Sequence, residues 1–171
     1  MEGNLPASSI VTGRRTMLKK RRNRPVILAV SSGGGHWIQM LRLVPAFRGA
    51  DVHYATTDPS AADQVEAAGF HTFLDANKDT PVRLIVCALK LAWIVATVRP
   101  DAVFSTGAAG GLLAIRIARL FGARTMFIDS IANARELSLS ARLSLGVADR
   151  VLCQWPRVAE ITGTEYRGAV I

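Results

Sequence analysis

The chain has 171 residues, of which 50% are hydrophobic and 6% are aromatic, and its formal net charge is +8. This composition favours a globular α/β or helical protein over a disordered chain, and the length suits one well-buried domain. The charge does not indicate a nucleic-acid-binding surface, because it is concentrated near the amino terminus. Residues 1–24 hold seven Lys or Arg against Glu2, whereas the rest of the chain has 14 basic and 12 acidic side chains.

Residues 1–23 are polar, lack hydrophobic periodicity and end close to a run of Lys and Arg. We predict a disordered basic tail here and one folded domain over residues 24–171. The tail has two interpretations, a solubilising leader or a polybasic contact with anionic lipids worth about 1 kcal/mol per basic residue. Because the sequence has no signal-peptide core and no uncharged apolar run of about 18 residues, we expect a cytoplasmic protein.

The two cysteines, Cys87 and Cys153, are 66 positions apart and have no metal-ligand spacing around them. We therefore expect both thiols to be reduced and structural, and we predict neither a metal site nor a cofactor.

Short apolar strand patterns alternate with helical patterns along the chain, and turn residues separate them. The predicted strands are residues 26–30, 51–56, 71–74, 102–105, 124–128 and 150–154, and a further strand begins near residues 169–171. The predicted helices are residues 37–44, 59–69, 81–98, 112–121 and 136–145. This rhythm predicts a Rossmann-like α/β fold, a doubly wound and mostly parallel sheet of about six strands.

Three consecutive glycines, Gly33, Gly34 and Gly35, separate the first strand from the first helix and are followed by His36. A glycine loop at a helix start presents backbone N–H donors and a partial positive charge, which suits a phosphate. The dinucleotide fingerprint is missing because Ile38 stands where a small residue is needed, and the Gly-Lys-Ser/Thr ending of a P-loop is also missing. The alternative interpretation is a tight turn without a ligand.

Three loops follow the carboxyl ends of strands, where open parallel sheets bind ligands. They are the first glycine loop (residues 31–36), the second glycine loop (residues 105–111) and the acidic loop (residues 129–133). Together they offer N–H donors for a diphosphate, the imidazole of His36 and the carboxylate of Asp129, a mixture that suits glycosyl transfer. The alternatives are loop packing for His36 and helix capping for Asp129 and Glu136. His53 and His71 lie within predicted strands and carry no such argument.

Five motifs carry a family resemblance: Ser32-Gly-Gly-Gly-His36, Ser105-Thr-Gly-Ala-Ala-Gly-Gly111, Ile128-Asp-Ser-Ile-Ala-Asn133, Ser138-Leu-Ser140 and Gln154-Trp-Pro156. Over residues 25–171 the chain resembles bacterial exopolysaccharide glycosyltransferase subunits related to the membrane-anchoring half of the split dolichol-pathway N-acetylglucosaminyltransferase. It is also similar to the amino-terminal half of the transferases that build the lipid-linked peptidoglycan precursor. The resemblance implies a single half of a GT-B fold, the half that handles the lipid-diphosphate acceptor.

The resemblance also implies roles for individual residues. By this resemblance His36 belongs to the glycine-histidine loop at the acceptor diphosphate, and Asp129 matches an acidic position that is more often Glu. We expect both to be catalytic. The residues expected at the acceptor diphosphate are Ser32, Gly33, Gly34, Gly35, Thr106, Gly107, Gly110 and Ser130. The amino-terminal transmembrane anchor of the eukaryotic relatives has no counterpart in this sequence.

The function implied is that of a polysaccharide-biosynthesis subunit that binds a polyprenyl-diphosphate-linked sugar. A separate donor-binding chain would then supply the UDP-sugar, docking on the carboxyl edge of the sheet and residues 154–171. Trp155, Pro156 and Tyr166 are the expected aromatic and apolar anchors, or alternatively close the core. A second hypothesis is a non-catalytic membrane scaffold that recruits the catalytic subunit. A third is a soluble enzyme that binds a free nucleotide in the first glycine loop.

The predicted helix at residues 81–98 is apolar around most of its circumference and is interrupted only by Arg83 and Lys90. Two charges make a full membrane span costly, so we expect peripheral association with the inner face of the cell membrane, with Trp93 near the headgroups. The alternative is a core helix that covers the sheet.

Overall fold

The computed structural model describes residues 23–77 and 79–170. The predicted tail lies outside these residues, apart from residue 23. Seven strands form one sheet: β1 Val26–Val30, β2 Asp51–Thr56, β3 Gly69–Thr72, β4 Ala102–Ser105, β5 Arg124–Ile128, β6 Arg150–Cys153 and β7 Glu165–Tyr166. Five α-helices connect or follow them: α1 Gly35–Leu43, α2 Pro81–Val98, α3 Ala108–Leu120, α4 Leu139–Ser144 and α5 Pro156–Thr162. Two 3₁₀ helices lie at Val44–Phe47 and Pro59–Gln64.

The strand order is β3-β2-β1-β4-β5-β6-β7, and every neighbouring pair is parallel. The predicted doubly wound Rossmann-like sheet is therefore confirmed, with a seventh strand at its edge. The order of connections reverses between β1 and β4, which pair directly through Val30 and Ser105. Ligands bind beside such a reversal because the loops that follow the two strands diverge to opposite faces.

Two hydrophobic clusters cover the two faces of the sheet. The larger cluster packs α2, α3, α4 and α5 on one face, with Leu91 and Ile115 among its fully buried side chains. The smaller cluster packs α1 and the first 3₁₀ helix on the other face around Trp37 and Tyr54, whose rings meet edge to face at 5.8 Å. All five residues of β1 are buried, as its unbroken apolar run predicts for a strand covered on both faces.

Several predicted boundaries are wrong. The helix predicted at residues 59–69 is only the 3₁₀ helix to Gln64, because the chain then extends to pair β3 with β2. The third strand consequently begins at Gly69, and the edge strand β7 lies at Glu165–Tyr166 instead of residues 169–171. The fourth predicted helix begins at Ala108, inside the second glycine loop, and the fifth is shortened to Leu139–Ser144.

Candidate functional site

The first and second glycine loops lie side by side, because they follow the paired strands β1 and β4. Helix α1 begins at Gly35 and helix α3 begins at Ala108, so both loops lead directly into helix amino termini. The acidic loop follows β5, the next strand in the sheet. The three loops therefore lie together at the carboxyl edge of the sheet, as predicted from the sequence. The starts of α1 and α3 both contribute N–H donors to this region.

The start of α1 is open to solvent. Gly34 has φ 65°, a conformation that favours glycine, and a Cβ atom added at Gly34 or Gly35 would meet no atom within 4 Å. The N–H of Gly33 points the other way and donates to Thr57 Oγ1 at 2.9 Å. Gly33 thus fixes the loop, while Gly34 and Gly35 leave room above the helix terminus for a ligand.

His36 and Thr106 join the two loops through a reciprocal pair of hydrogen bonds. His36 Nδ1 lies 2.8 Å from the Thr106 carbonyl oxygen, and Thr106 Oγ1 donates to the His36 carbonyl oxygen at 2.8 Å. Because a carbonyl oxygen only accepts, we assign the Nδ1–H tautomer to His36. Nε2 then carries the lone pair, which is the arrangement a general base requires.

Gly107 makes this position of His36 possible. It has φ 140°, and a Cβ atom there would overlap the imidazole ring of His36. The next residue, Ala108, is a rare non-glycine residue with positive φ, at 64°. Gly110 and Gly111 differ from Gly107, because both lie buried inside α3, where a Cβ atom would overlap Phe73 and Ser105 respectively. Their contacts are packing contacts, so the direct ligand role predicted for Gly110 stays a prediction.

Asp129 is in the protein interior, with 1% of its surface exposed. Its Oδ1 accepts from Asn133 Nδ2 at 2.9 Å, and its Oδ2 accepts from the Ser138 N–H at 3.0 Å. The Asp129 carbonyl oxygen accepts from Gln39 and Gln154, at 3.2 Å and 2.7 Å. These are the contacts of a group that positions residues 129–138. A catalytic role for Asp129 stays a prediction. Its carboxylate is buried in this conformation and is not exposed to a ligand.

A groove of about 620 Å³ runs from the two glycine loops along α3. Its polar lining comprises Ser32, His36, Asp75, Asn77, Asp79, Arg116 and Ser140, and its larger apolar lining comprises Leu84, Leu112, Leu113, Leu139 and Leu143 together with three alanines. Of the residues predicted at the acceptor diphosphate, Ser32 lines the groove, whereas the predicted glycines, Thr106 and Ser130 do not. Ser130 Oγ accepts from the Ala132 N–H at 3.3 Å within its own turn. The groove therefore combines polar groups with an apolar wall.

A family model for "Oligosaccharide biosynthesis protein Alg14 like" matches residues 79–170, more than half of the chain. The chain belongs to this Alg14-like family. The match includes the second glycine loop, the acidic loop, residues 138–140 and the segment after β6, which carry four of the five motifs behind the family prediction.

One relative extends the match across the first glycine loop. The chain is 23% identical to the UDP-N-acetylglucosamine transferase subunit ALG14 of Yarrowia lipolytica, over 91% of this chain and 85% of that protein. The coarse family prediction is therefore confirmed. Its bacterial exopolysaccharide part rests on the motif resemblance alone.

Solved structures match the same fold at low identity. Acinetobacter baumannii MurG superposes with a TM-score of 0.65 and 18% identity, over 86% of this chain and 44% of that chain. The UDP-N-acetylglucosamine 2-epimerase of Rickettsia bellii superposes with a TM-score of 0.63 and 12% identity, over 86% of this chain and 45% of that chain. The Alg14-like chain thus spans less than half of each, which confirms a Rossmann-like half of a GT-B fold.

The groove also contains residues that the sequence did not single out. Asp75, Asn77 and Asp79 come from the loop after β3, and Arg116 comes from the third turn of α3. The loop is well anchored, since Asn77 Oδ1 accepts from the Asp79 N–H at 2.9 Å and from Thr80 Oγ1 at 3.2 Å. For the three loop residues, the available sequence signal was a polar loop at the carboxyl end of a strand. No sequence signal marked Arg116, because its contribution depends on which face of α3 borders the groove.

Cys87 is a buried thiol on α2. Burial, and secondarily the charge of Asp75, raises the pKa of Cys87 to about 11. Cys87 and Cys153 are both buried free thiols, as predicted. Within residues 23–77 and 79–170, no group of three or more His, Cys, Asp or Glu side chains is arranged to hold a metal ion.

Proposed function

We propose that this Alg14-like chain is the acceptor-binding subunit of a glycosyltransferase. It binds a polyprenyl-diphosphate-linked sugar in the groove, and a partner chain supplies the UDP-sugar donor. The observation that carries the proposal is one groove that is lined by His36 at the start of α1, by Ala108 at the start of α3, and by a wall of leucines. Helix starts suit the diphosphate, and the leucines suit the first isoprene units of the lipid.

The proposed chemistry assigns the proton transfer to His36. Nε2 takes the proton of the attacking acceptor hydroxyl as the oxygen bonds to the anomeric carbon of the donor sugar. The bond from that carbon to the UDP oxygen breaks, and UDP leaves with the electron pair. The hydrogen bond from Nδ1 to Thr106 keeps the ring oriented and stabilises the imidazolium that forms. Asp129 contributes indirectly by holding the acidic loop.

The partner is proposed to dock where the structure exposes the predicted anchors. Trp155 and Tyr166 are 37% and 45% exposed, and Pro156 is exposed as well, so core closure, the alternative interpretation, is wrong. The Trp155 indole already donates to the Ile131 carbonyl oxygen at 2.7 Å, which links this surface to the acidic loop. A partner seated here would border the groove and could bring the donor to near-attack distance of the acceptor.

Membrane association is proposed to occur through α2. The helix buries one face against the sheet and α3, including Leu91 and Ile94, while Val82, Ile85 and Leu89 are 73%, 61% and 66% exposed. It is long and apolar enough to span a membrane by length and composition, with 28% of it buried. A span would require separation from the sheet, so we propose that the exposed face lies in the inner leaflet of the cell membrane, on its cytoplasmic side. The exopolysaccharide context remains part of this proposal.

A second candidate function is a non-catalytic scaffold that recruits and activates the catalytic subunit. The burial of Asp129, whose carboxylate oxygens are both occupied by loop contacts, favours it. The two functions differ at the first glycine loop, because only an acceptor-binding subunit needs open space there.

Gly35→Val tests the proposal. The added side chain would extend into the open space above α1 and block the diphosphate, so transfer by the complex should fall at least about 100-fold. A Cβ atom added at Gly35 would meet no atom within 4 Å, so the melting temperature should change little. Ile38→Val, an exposed change on the same helix, is the matched control. Unchanged turnover by Gly35→Val in the presence of the partner would remove the loop from the site and favour the scaffold.

A further inference from the structure

The groove-facing stripe of α3 ends in a charge. Ala109, Leu112, Leu113 and Arg116 all line the groove, and their spacing of three, one and three residues places them on one face of the helix. Arg116 therefore shares the groove with Ser32 and His36 although it stands two turns beyond the start of α3. It is the only arginine among the groove-lining residues that the structure describes.

Within the described residues, Arg116 has no anionic partner. Four other arginines pair with carboxylates: Arg119 with Asp149, Arg142 with Glu136, and Arg150 and Arg167 with Glu165. Among the described residues, Arg116 makes no such ion pair and no side-chain hydrogen bond. An exposed guanidinium with five free donors beside a predicted phosphate site is available to a ligand.

The distances along α3 bring the guanidinium within reach of a diphosphate. The Cα of Arg116 is eight residues from the start of the helix, about 12 Å at 1.5 Å per residue. Side chains on an α-helix lean toward its amino terminus, so an extended arginine runs back along the groove and covers roughly half of that distance. A diphosphate with one phosphate at the helix starts places its other phosphate in the remaining gap.

The charges across the groove favour the same orientation. Asp75 and Asp79 line the groove from the loop before α2, and both would repel an anion on their side. The α3 side offers Arg116 and the helix amino terminus. A ligand that carries a diphosphate and sugar hydroxyls is therefore best placed with its phosphates against α3, leaving the carboxylates free to accept hydrogen bonds from the hydroxyls.

We propose that Arg116 binds the diphosphate of the lipid-linked acceptor and selects a diphosphate over a monophosphate. This assignment rests on the proposed acceptor-binding function. The guanidinium would bind the phosphate that the helix starts do not reach. It can donate two parallel hydrogen bonds to one phosphate, a bidentate geometry that lysine does not reproduce. Leu112 and Leu113 lie between the start of α3 and Arg116 and would contact the start of the lipid.

The test is calorimetric titration of the full chain with farnesyl diphosphate and farnesyl monophosphate as soluble probes. Arg116→Gln should weaken binding of the diphosphate about tenfold and leave binding of the monophosphate unchanged. Arg116→Lys should recover only part of the loss. Arg48→Gln, which removes an exposed arginine away from the groove, is the matched control, and the melting temperature of each variant checks that the fold is retained.

Two outcomes separate failure of this assignment from failure of the proposed function. Equal affinities of Arg116→Gln and the unsubstituted chain for the diphosphate, with Gly35→Val still impaired, would overturn the role of Arg116 alone. Absence of binding by the unsubstituted chain would overturn the acceptor site and the Arg116 assignment together. Flotation of Arg116→Gln with phosphatidylglycerol vesicles tests whether Arg116 instead binds the phosphate of a lipid headgroup. Loss of flotation by this variant, with unchanged affinity for farnesyl diphosphate, would also overturn the assignment.

Discussion

At the scale of single residues, the candidate site depends on how tightly the two glycine loops fit together. His36 occupies the space that any side chain at position 107 would need, and Thr106 holds the imidazole from the same strand end. The orientation of the proposed base therefore depends on the absence of a side chain at position 107. Such a dependence is measurable, because the chain offers a second glycine with positive φ in open space.

Gly107→Ala should displace the His36 ring and lower turnover of the complex at least about tenfold, since a misplaced base loses its alignment. Gly122→Ala is the control: its φ is 76° and a Cβ atom there would meet nothing within 4 Å. Both substitutions carry a backbone cost of about 1 kcal/mol, which urea unfolding would show. Equal turnover by the two variants would mean that the position of His36 does not matter for transfer.

His71 gives a prediction about pH and stability. It stacks on His53 across β2 and β3, with His53 Nδ1 and His71 Nε2 3.3 Å apart. Burial, then the neighbouring His53, then Lys90, lowers the pKa of His71 below its ordinary value. The unfolded chain consequently binds more protons than the folded chain between the lowered pKa and about 6.5, so stability should fall as the pH drops through that window.

The measurement for His71 is the urea midpoint of the chain and of His71→Asn from about pH 7.5 to about pH 5. The substitution should flatten the fall in stability at the acidic end, while Thr72→Asn on the same edge strand should leave the slope unchanged. Parallel curves for the chain and His71→Asn would contradict the assignment of this pH dependence to His71.

At the scale of elements, α2 divides into a packed face and an apolar exposed face. Val82, Ile85, Leu89 and Trp93 recur at spacings of three and four residues, and all are more than half exposed. Lys90 Nζ lies 4.6 Å from the centre of the Trp93 ring, so the charged group stays near the rim of the exposed face. This arrangement suits insertion to the depth of the lipid headgroups.

Leu89→Glu should therefore abolish flotation of the chain lacking residues 1–23 with anionic liposomes, because a carboxylate would have to enter the headgroup boundary. Ile161→Glu on α5 is the matched control, since Ile161 is 72% exposed and Leu89 is 66% exposed. If neither substitution changes flotation, or if the unsubstituted shortened chain stays at the bottom of the gradient, α2 is not the membrane contact.

How far the sequence predicted an element depended on what fixes that element. The strand at residues 124–128 and the helix at residues 81–98 have strong local patterns, and both were predicted with the bounds that the structure shows. Residues 59–69 are rich in good helix formers, yet pairing of β3 with β2 extends the second half of that segment. Helix α5 was missed although Pro156 at its start and Gly163 at its end are standard boundary signals.

The same distinction applies to the site. The glycine loops and His36 were found because glycines and a histidine after a strand are visible in the sequence. The carboxylate contribution was assigned to Asp129, which is buried, whereas Asp75 and Asp79 line the groove. Which carboxylate reaches a groove depends on side-chain direction and on neighbouring elements, and neither is encoded in local spacing.

At the scale of the whole molecule, the chain supplies one Rossmann-like half and matches 44% of the length of Acinetobacter baumannii MurG. Its groove and exposed Trp155 surface lie at the same carboxyl edge of the sheet. A UDP-sugar donor would have to be held opposite the acceptor at near-attack distance, and we propose that a second chain holds it there. Acceptor binding and donor binding are thus proposed to reside in different polypeptides.

The most direct measurement of that claim is a transfer assay with a lipid-diphosphate-linked sugar acceptor and a panel of UDP-sugars. The purified chain is assayed alone and together with the donor-binding chain that co-purifies with it from the native host. We expect no turnover by either chain alone and robust turnover by the pair. Robust turnover by the single chain would contradict the split arrangement and would place the donor site within these same loops.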